Sequence, residues 1–103
     1  IIPGGVKALE YLRQHKSALK FIKEWDSKEK TIACICHGAQ LLISSKITSG
    51  REVSGYYSIQ DDISNSGATY VDGPAVISNN LVRCPHYKRM GQWMKAVFEV
   101  YNK

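Results

Sequence analysis

The most constraining stretch of this chain is the uncharged run Thr31-Ile32-Ala33-Cys34-Ile35, which passes without a linker into Cys36-His37-Gly38 and then into the helix-like Ala39 to Ser45. A strand apolar on both faces belongs inside a sheet covered by helices on both sides, usually a parallel sheet. A strand that turns directly into a helix leaves its junction residue exposed on a sharp elbow. Such an elbow needs small residues two before and two after the junction. Here these are Cys34 and Gly38, and the junction residue is Cys36. That position lies at the carboxyl edge of the sheet, where α/β folds bind ligands. It is also a helix N-terminus, which favours thiolate over thiol, and its free N–H groups can receive an oxyanion. The expectation is therefore an exposed nucleophilic Cys36 with a lowered pKa. Cys34, in mid-strand, is expected to be inert packing.

The remaining pattern fits the same class. Ile1-Ile2 before Pro3-Gly4-Gly5 reads as a strand end entering a tight loop. From His15 to Trp25, Ala18, Leu19, Ile22 and Trp25 recur at helical spacing with Lys16, Lys20, Lys23 and Glu24 on the wet side. Arg51 to Ser54 reads as a short strand. Ser58 and Asp61 resemble a capping box opening a short helix with Ile59 and Ile63 on one face, stopping at a left-handed Gly67. Thr69 to Val71 is β-rich. Pro74 to Ile77, Asn79-Asn80 and Leu81 to Cys84 read as a hairpin. Tyr87 to Tyr101 carries an apolar stripe of Met90, Trp93, Met94, Val97 and Tyr101, expected to pack on the sheet. Alternating strands and helices imply an α/β layered fold with a mostly parallel sheet. With 103 residues the chain is a single domain.

Charge and cysteine usage exclude several classes. The net charge of +5 is spread along the chain, and the Lys16 to Lys30 region interleaves Glu24, Asp26 and Glu29. That is a solvated helix face, not a nucleic-acid stripe. The apolar stretch from Thr31 to Ile43, broken by His37, Gly38 and Gln40, is too short to span a membrane. Three cysteines, with no secretory signal at the start, point to free thiols in the cytoplasm. Cys34, Cys36, His37, Cys84 and His86 supply soft ligands without zinc-site spacing, so no metal is expected. The chain opens on Ile1-Ile2 with no initiator Met, and we expect a piece of a longer protein.

In order and spacing, Ile2-Pro3-Gly4-Gly5, Glu10-Tyr11-Leu12, Ile35 to Leu42 (ICHGAQLL), Gly50-Arg51, Tyr57 to Asp62 (YSIQDD) and Gly67 to Asp72 (GATYVD) resemble the ThiJ/PfpI superfamily, most closely its PfpI-like branch of peptidase-like, protein deglycase-like and glyoxalase III-like members. The resemblance runs over essentially all of residues 1–103. It implies a flavodoxin-like three-layer α/β sandwich, of which this chain is the C-terminal part with the first strands missing. It maps the reactive cysteine to Cys36, its histidine partner to His37, and the third catalytic member, a glutamate supplied across an oligomer interface, to Glu10. From residues alone, Glu10 reads as an exposed carboxylate at a helix start. The resemblance also implies an oxyanion hole from the backbone of Gly5 and of His37. His86 and Tyr57 are candidate cleft residues, with a plain loop position as the alternative for His86. A further glutamate, which the family places at the end of its first strand beside the thiol, has no counterpart here. Val6-Lys7-Ala8-Leu9 departs from the usual sequence after the Pro-Gly-Gly loop, where substrate contacts are made.

The expected function is a cofactor-independent enzyme, a homo-oligomer whose Cys36 attacks reactive carbonyls or peptides while His37 carries the proton. The alternative is a redox-sensing or chaperone-like protein that oxidises Cys36 without turnover. A sensor needs only a stabilised thiolate, and the adjacent His37 favours the enzyme.

Overall fold

The computed structural model describes residues 1–103. The chain runs through α1 (Val6–Leu12), α2 (Lys16–Ser27), β1 (Ile32–Ile35), a 3-10 turn at Cys36–Gly38, α3 (Ala39–Ser44), β2 (Glu52–Val53), a second 3-10 turn at Tyr57–Ile59, α4 (Gln60–Asn65), β3 (Thr69–Tyr70), β4 (Val76–Ser78), β5 (Leu81–Cys84), a third 3-10 turn at Tyr87–Arg89, and α5 (Met90–Tyr101).

All four β1 residues are buried, as a strand apolar on both faces requires. It is an interior strand with parallel neighbours on both sides: β5 pairs with it from Ile32↔Leu81 to Ile35↔Cys84, and Ile2 bridges to Cys34. Ile2 donates to the Ala33 carbonyl at 2.7 Å and accepts from the Ile35 N–H at 3.2 Å. The Asn79-Asn80 turn, with Asn79 at φ 55, folds β4 back antiparallel onto β5. A second, two-stranded sheet pairs β2 with β3 in parallel.

Alternation along β1 and β5 sends side chains into two cores. Ile32, Cys34 and Leu81 pack with Leu9 of α1, Ile22 of α2, and Leu41 and Leu42 of α3. Ala33, Ile35, Val82 and Cys84 pack with Trp93, Ala96 and Val97 of α5 on the other face. The result is the three-layer flavodoxin-like α/β arrangement with a parallel-rich sheet. Trp93 Nε1 donates to the Val82 carbonyl at 3.1 Å and pins α5 to β5. At the amino edge of the strands, Asp26 accepts from Arg51 at 3.0 Å and from Asn80 at 2.9 Å. Arg83 of β5 is fully buried and donates to the Glu52 carbonyl, while its Nε and Nη1 have no partner.

Four sequence expectations need correction. Helix α1 has no counterpart in the periodicity reading, because its seven residues bury only Leu9. The strand expected over Arg51 to Ser54 contracts to Glu52–Val53. In α5, Met90 and Tyr101 are exposed, since they fall at the helix ends beyond the sheet, and Ala96 joins Trp93 and Val97 on the buried face. Finally, Ser58 does not cap α4: a 3-10 turn precedes the helix, Ile59 is its N-cap, and no side-chain cap bond forms.

Candidate active site

The elbow forms where β1 ends. Ile35 is still extended, but Cys36 has φ 60, a left-handed conformation that is costly for a residue with a Cβ. Two glycines allow the close packing here, Gly4 against Cys36 and Gly38 against Ile2 and Cys34. A Cβ on Gly4 would lie 2.9 Å from Cys36 Cβ and 3.6 Å from its sulfur. One on Gly38 would lie 2.9 Å from the Ile2 carbonyl oxygen and 3.0 Å from Cys34 Cβ. The Cys36 carbonyl accepts the Tyr56 N–H at 3.1 Å, tying the elbow to the segment after β2.

The half-buried Cys36 sulfur receives the backbone N–H groups of His37 and Gly5. These are the two amides anticipated for the oxyanion hole. Its thiol nevertheless stands above its ordinary pKa, because desolvation by burial outweighs both amides. The expectation of a lowered pKa is thus corrected: one short turn and two N–H groups do not offset the partial loss of water. Cys34, 1% exposed, is pushed by burial up to about 12, and Cys84, fully buried, is also raised by desolvation. Cys36 remains the only cysteine of the three that is not buried.

His37 is 8% exposed, with Nδ1 3.4 Å from Cys36 Sγ and Nε2 3.4 Å from Ser58 Oγ. The Tyr56 ring stacks on the imidazole, centroids 5.2 Å apart at 23°. Tyr56 also meets Tyr57 at 5.8 Å and His86 at 5.9 Å, and His86 meets Tyr87 at 4.1 Å. The two candidate cleft residues, His86 and Tyr57, therefore reach the site through Tyr56. His86 accepts the Lys88 N–H on Nδ1 at 3.2 Å. Glu10 is exposed, as expected, but lies in the last turn of α1 and not at a helix start, because the helix already begins at Val6 behind Gly5, and no hydrogen bond or ion pair joins its carboxylate to His37 within the chain. No group of three or more His, Cys, Asp and Glu side chains is placed to hold a metal ion, and no helix is long and apolar enough to cross a membrane.

Two residues here escaped sequence reasoning. Tyr56 was hidden in an irregular segment. Ser58 was absorbed into a capping motif that does not form. The signal that finds them is topological: β2 is parallel to β3, and the segment after it returns to the elbow through the Tyr56 N–H.

Comparison with known proteins bears on this arrangement. The sequence matches the DJ-1/PfpI family over residues 1–100. It is 35% identical over 95 residues to a protein of Thermococcus kodakarensis named deglycase TK1284, covering 92% of this chain and 57% of that protein. It is 34% identical, over the same shares of both chains, to Pyrococcus furiosus deglycase PfpI. The chain thus spans a little over half the length of these curated relatives. Among solved structures, a two-domain Anabaena variabilis protein containing DJ-1/ThiJ/PfpI-like and ferritin-like domains superposes with a TM-score of 0.89 at 27% identity, covering 92% of this chain and 27% of that one.

Proposed function

This chain belongs to the DJ-1/PfpI family, and from that premise we propose that it carries the thiol chemistry of a cysteine-dependent enzyme acting on reactive carbonyls, of the deglycase or cofactor-independent glyoxalase kind. The observation that carries the reading is the 3.4 Å contact between Cys36 Sγ and His37 Nδ1, with the His37 and Gly5 amides at the same sulfur. A thiol raised above its usual pKa is mostly protonated at neutral pH. Its attack must therefore be coupled to proton transfer, and His37 Nδ1 is the acceptor in reach. As sulfur adds to the carbonyl carbon, charge develops on the carbonyl oxygen, and the two backbone N–H groups are the donors beside it.

A dicarbonyl suits this site, because the second carbonyl makes the attacked carbon more electrophilic and addition needs no leaving group. With methylglyoxal, Cys36 adds to the aldehyde to give a thiohemiacetal. His37 moves a proton from C1 to C2, leaving a thioester of lactate, and water releases lactate and the free thiol. No electron acceptor is needed. Peptide cleavage ranks lower because it must expel an amine from a stabilised amide. The contact between His37 and the sulfur favours turnover over a purely oxidisable sensor. Glu10 remains in the proposal as a carboxylate supplied by a second copy in a homo-oligomer, supported by its exposure on α1. His86 and Tyr57 form the cleft wall beyond Tyr56.

The test is lactate formation from methylglyoxal without glutathione, beside release of sugar from early glycation adducts and digestion of casein, in full-length protein. Cys36→Ala should abolish turnover, and His37→Ala should lower it by about 10²–10⁴-fold. Mixed Cys36→Ala and Glu10→Gln proteins should regain activity if the carboxylate crosses between copies. Casein digestion without lactate or sugar release would overturn the carbonyl reading.

A further inference from the structure

We propose that Cys84 is a resolving cysteine for Cys36: when a peroxide oxidises Cys36 to the sulfenic acid, the Cys84 thiol closes a Cys36–Cys84 disulfide within one chain, a reversible off-state of the site. This rests on the reading of Cys36 as a reactive thiol given above.

The sheet brings the two residues together. β1 and β5 run parallel with Ile35 and Cys84 as Cα partners, and Cys36 is the residue after Ile35. One strand spacing across and one residue along put the Cα atoms of Cys36 and Cys84 roughly 6 Å apart. A disulfide spans about 4.4–6.8 Å between Cα atoms. Side-chain direction agrees. Alternation sends Ile35 and Cys84 to the face covered by α5, and would send residue 36 to the opposite face. Cys36 breaks the alternation. With φ 60 it leaves the strand, and it packs against the α5-side cluster that holds Ile35, Val82 and Cys84. Cys34 packs with Ile22 and Leu42 on the other face, so the plane of the sheet lies between it and this pair.

Exposure divides the roles. Cys36 is half-buried and open to a small oxidant, whereas Cys84 is 0% exposed and its Sγ donates to the His86 carbonyl at 3.1 Å. Peroxide therefore meets Cys36 first, and Cys84 stays reduced until the sulfur beside it becomes an electrophile. The Tyr87–Arg89 turn that follows β5 buries none of its residues, so the end of the strand can shift toward the elbow without opening a core. The carbonyl chemistry proposed above leaves Cys84 unused.

The steps balance with hydrogen peroxide as the oxidant. The Cys36 sulfur attacks one peroxide oxygen while His37 Nδ1, 3.4 Å away, takes the thiol proton. The O–O bond breaks, the sulfur is oxidised by two electrons, and the departing hydroxide collects that proton and leaves as water. The Cys84 sulfur then attacks the Cys36 sulfur. The S–O bond breaks, the S–S bond forms, and the released hydroxide takes the Cys84 proton and leaves as a second water. Two thiols and one peroxide give one disulfide and two waters. Without a thiol beside it, the sulfenic acid stays open to a second peroxide and proceeds to sulfinic acid, which a thiol reductant does not reverse.

The experiment treats full-length protein with a small molar excess of hydrogen peroxide and reads intact mass and peptide maps for wild type, Cys84→Ser and Cys84→Ala. Wild type should lose two hydrogen atoms and yield a peptide joining Cys36 to Cys84. Dithiothreitol should restore both thiols and the alkylation of Cys36. The two Cys84 variants should form no such peptide. Their Cys36 should be captured by dimedone as the sulfenic acid, and with further peroxide should gain two oxygen atoms that dithiothreitol does not remove. The linked peptide comes from wild type, so the test does not depend on how the variants fold. Sulfinic acid at Cys36 of wild type with no Cys36–Cys84 peptide overturns the proposal and leaves Cys36 a reactive thiol. So does a disulfide from Cys36 to Cys34 or to a second copy of the chain. A Cys36 that peroxide leaves untouched in all three proteins overturns the proposal together with the reading of Cys36 as a reactive thiol.

Discussion

Replacing Gly38 by alanine tests how the elbow is built. Gly38 has φ −54 and ψ −27, an ordinary right-handed conformation, so alanine brings no backbone strain. The whole effect is steric. The new methyl would sit 2.9 Å from the Ile2 carbonyl oxygen, 3.0 Å from Cys34 Cβ and 3.2 Å from Ile2 Cγ2. The first atom is backbone, and its residue bridges β1, so no rotamer change relieves the contact. Overpacking a tight site costs about 1–3 kcal/mol, and a backbone clash beside an interior strand belongs near the middle of that range. About 2 kcal/mol in a domain of this size lowers Tm by roughly 8–16 °C. Gly91 supplies the control: it lies in α5 with nothing within 4 Å of an added Cβ, so alanine there should stabilise by about 0.5–1 kcal/mol through helix propensity. The assay is thermal unfolding of the two variants beside wild type, with Cys36 alkylation measured on each below its transition. Gly38→Ala should also slow alkylation, because pushing Ile2 away from β1 moves Gly5 and its N–H off the sulfur. A Gly38→Ala protein that melts within about 2 °C of wild type and labels at its rate would refute the close packing of Ile2 against the elbow.

The part of the fold legible in the sequence is the part with sustained patterning. β1 announced itself as an uncharged run between a charged helix and a small-residue turn, and α2 and α5 by apolar residues at helical spacing. The Asn79-Asn80 pair marked the hairpin because asparagine tolerates the positive φ that the turn adopts there. Less was legible where structure depends on contacts between distant segments. Helix α1 buries only Leu9, and its C-cap Arg13 reaches Ser44, a residue 31 positions away. Ser58 looked like a cap because the pattern Ser58…Asp61 is local, whereas its hydroxyl faces a histidine 21 residues away. For the thiol, a helix N-terminus is visible in sequence and lowers a pKa, but desolvation depends on how closely the Pro3-Gly4-Gly5 loop covers the sulfur. The glycines Gly4 and Gly38 were legible as small residues. That Gly4 must clear the Cys36 side chain, and Gly38 the Ile2 carbonyl and Cys34, is a fact of the assembled sheet edge.

Two further outcomes concern the buried charge and thiol on the β1–β5 pair. Arg83→Met should leave Tm unchanged or raise it: the guanidinium is fully buried with Nε and Nη1 unpartnered, burial drives its pKa down to about 10, and an apolar side chain of similar volume removes that desolvation cost. A fall in Tm of several degrees would mean that its bond to the Glu52 carbonyl outweighs the cost. Cys34 governs the alkaline limb. Burial raises its pKa from 9.0 to about 12, so above pH 9 the unfolded chain gives up a proton that the folded chain keeps. The folded state then binds more protons, and stability must fall as pH rises, by at most about 1.4 kcal/mol per pH unit from this one group. The stabilisation is complete below pH 9 and is lost between 9 and about 12. Arg83 acts with the opposite sign, since its folded pKa is depressed, but only from about pH 10 upward, where it begins to lose its proton. The clean window is therefore pH 8 to 10. Cys84, Cys36 and Tyr70, all raised chiefly by burial, add to the loss there with the same sign as Cys34. Urea midpoints of wild type and Cys34→Ala across that window separate the Cys34 share from theirs. The variant starts lower, because truncating a buried side chain leaves a small cavity, but its decline with pH should be visibly shallower. Parallel declines would mean that Cys34 ionises as readily in the folded protein as in the unfolded chain, which a thiol in the closed core between β1 and α3 has no means to do.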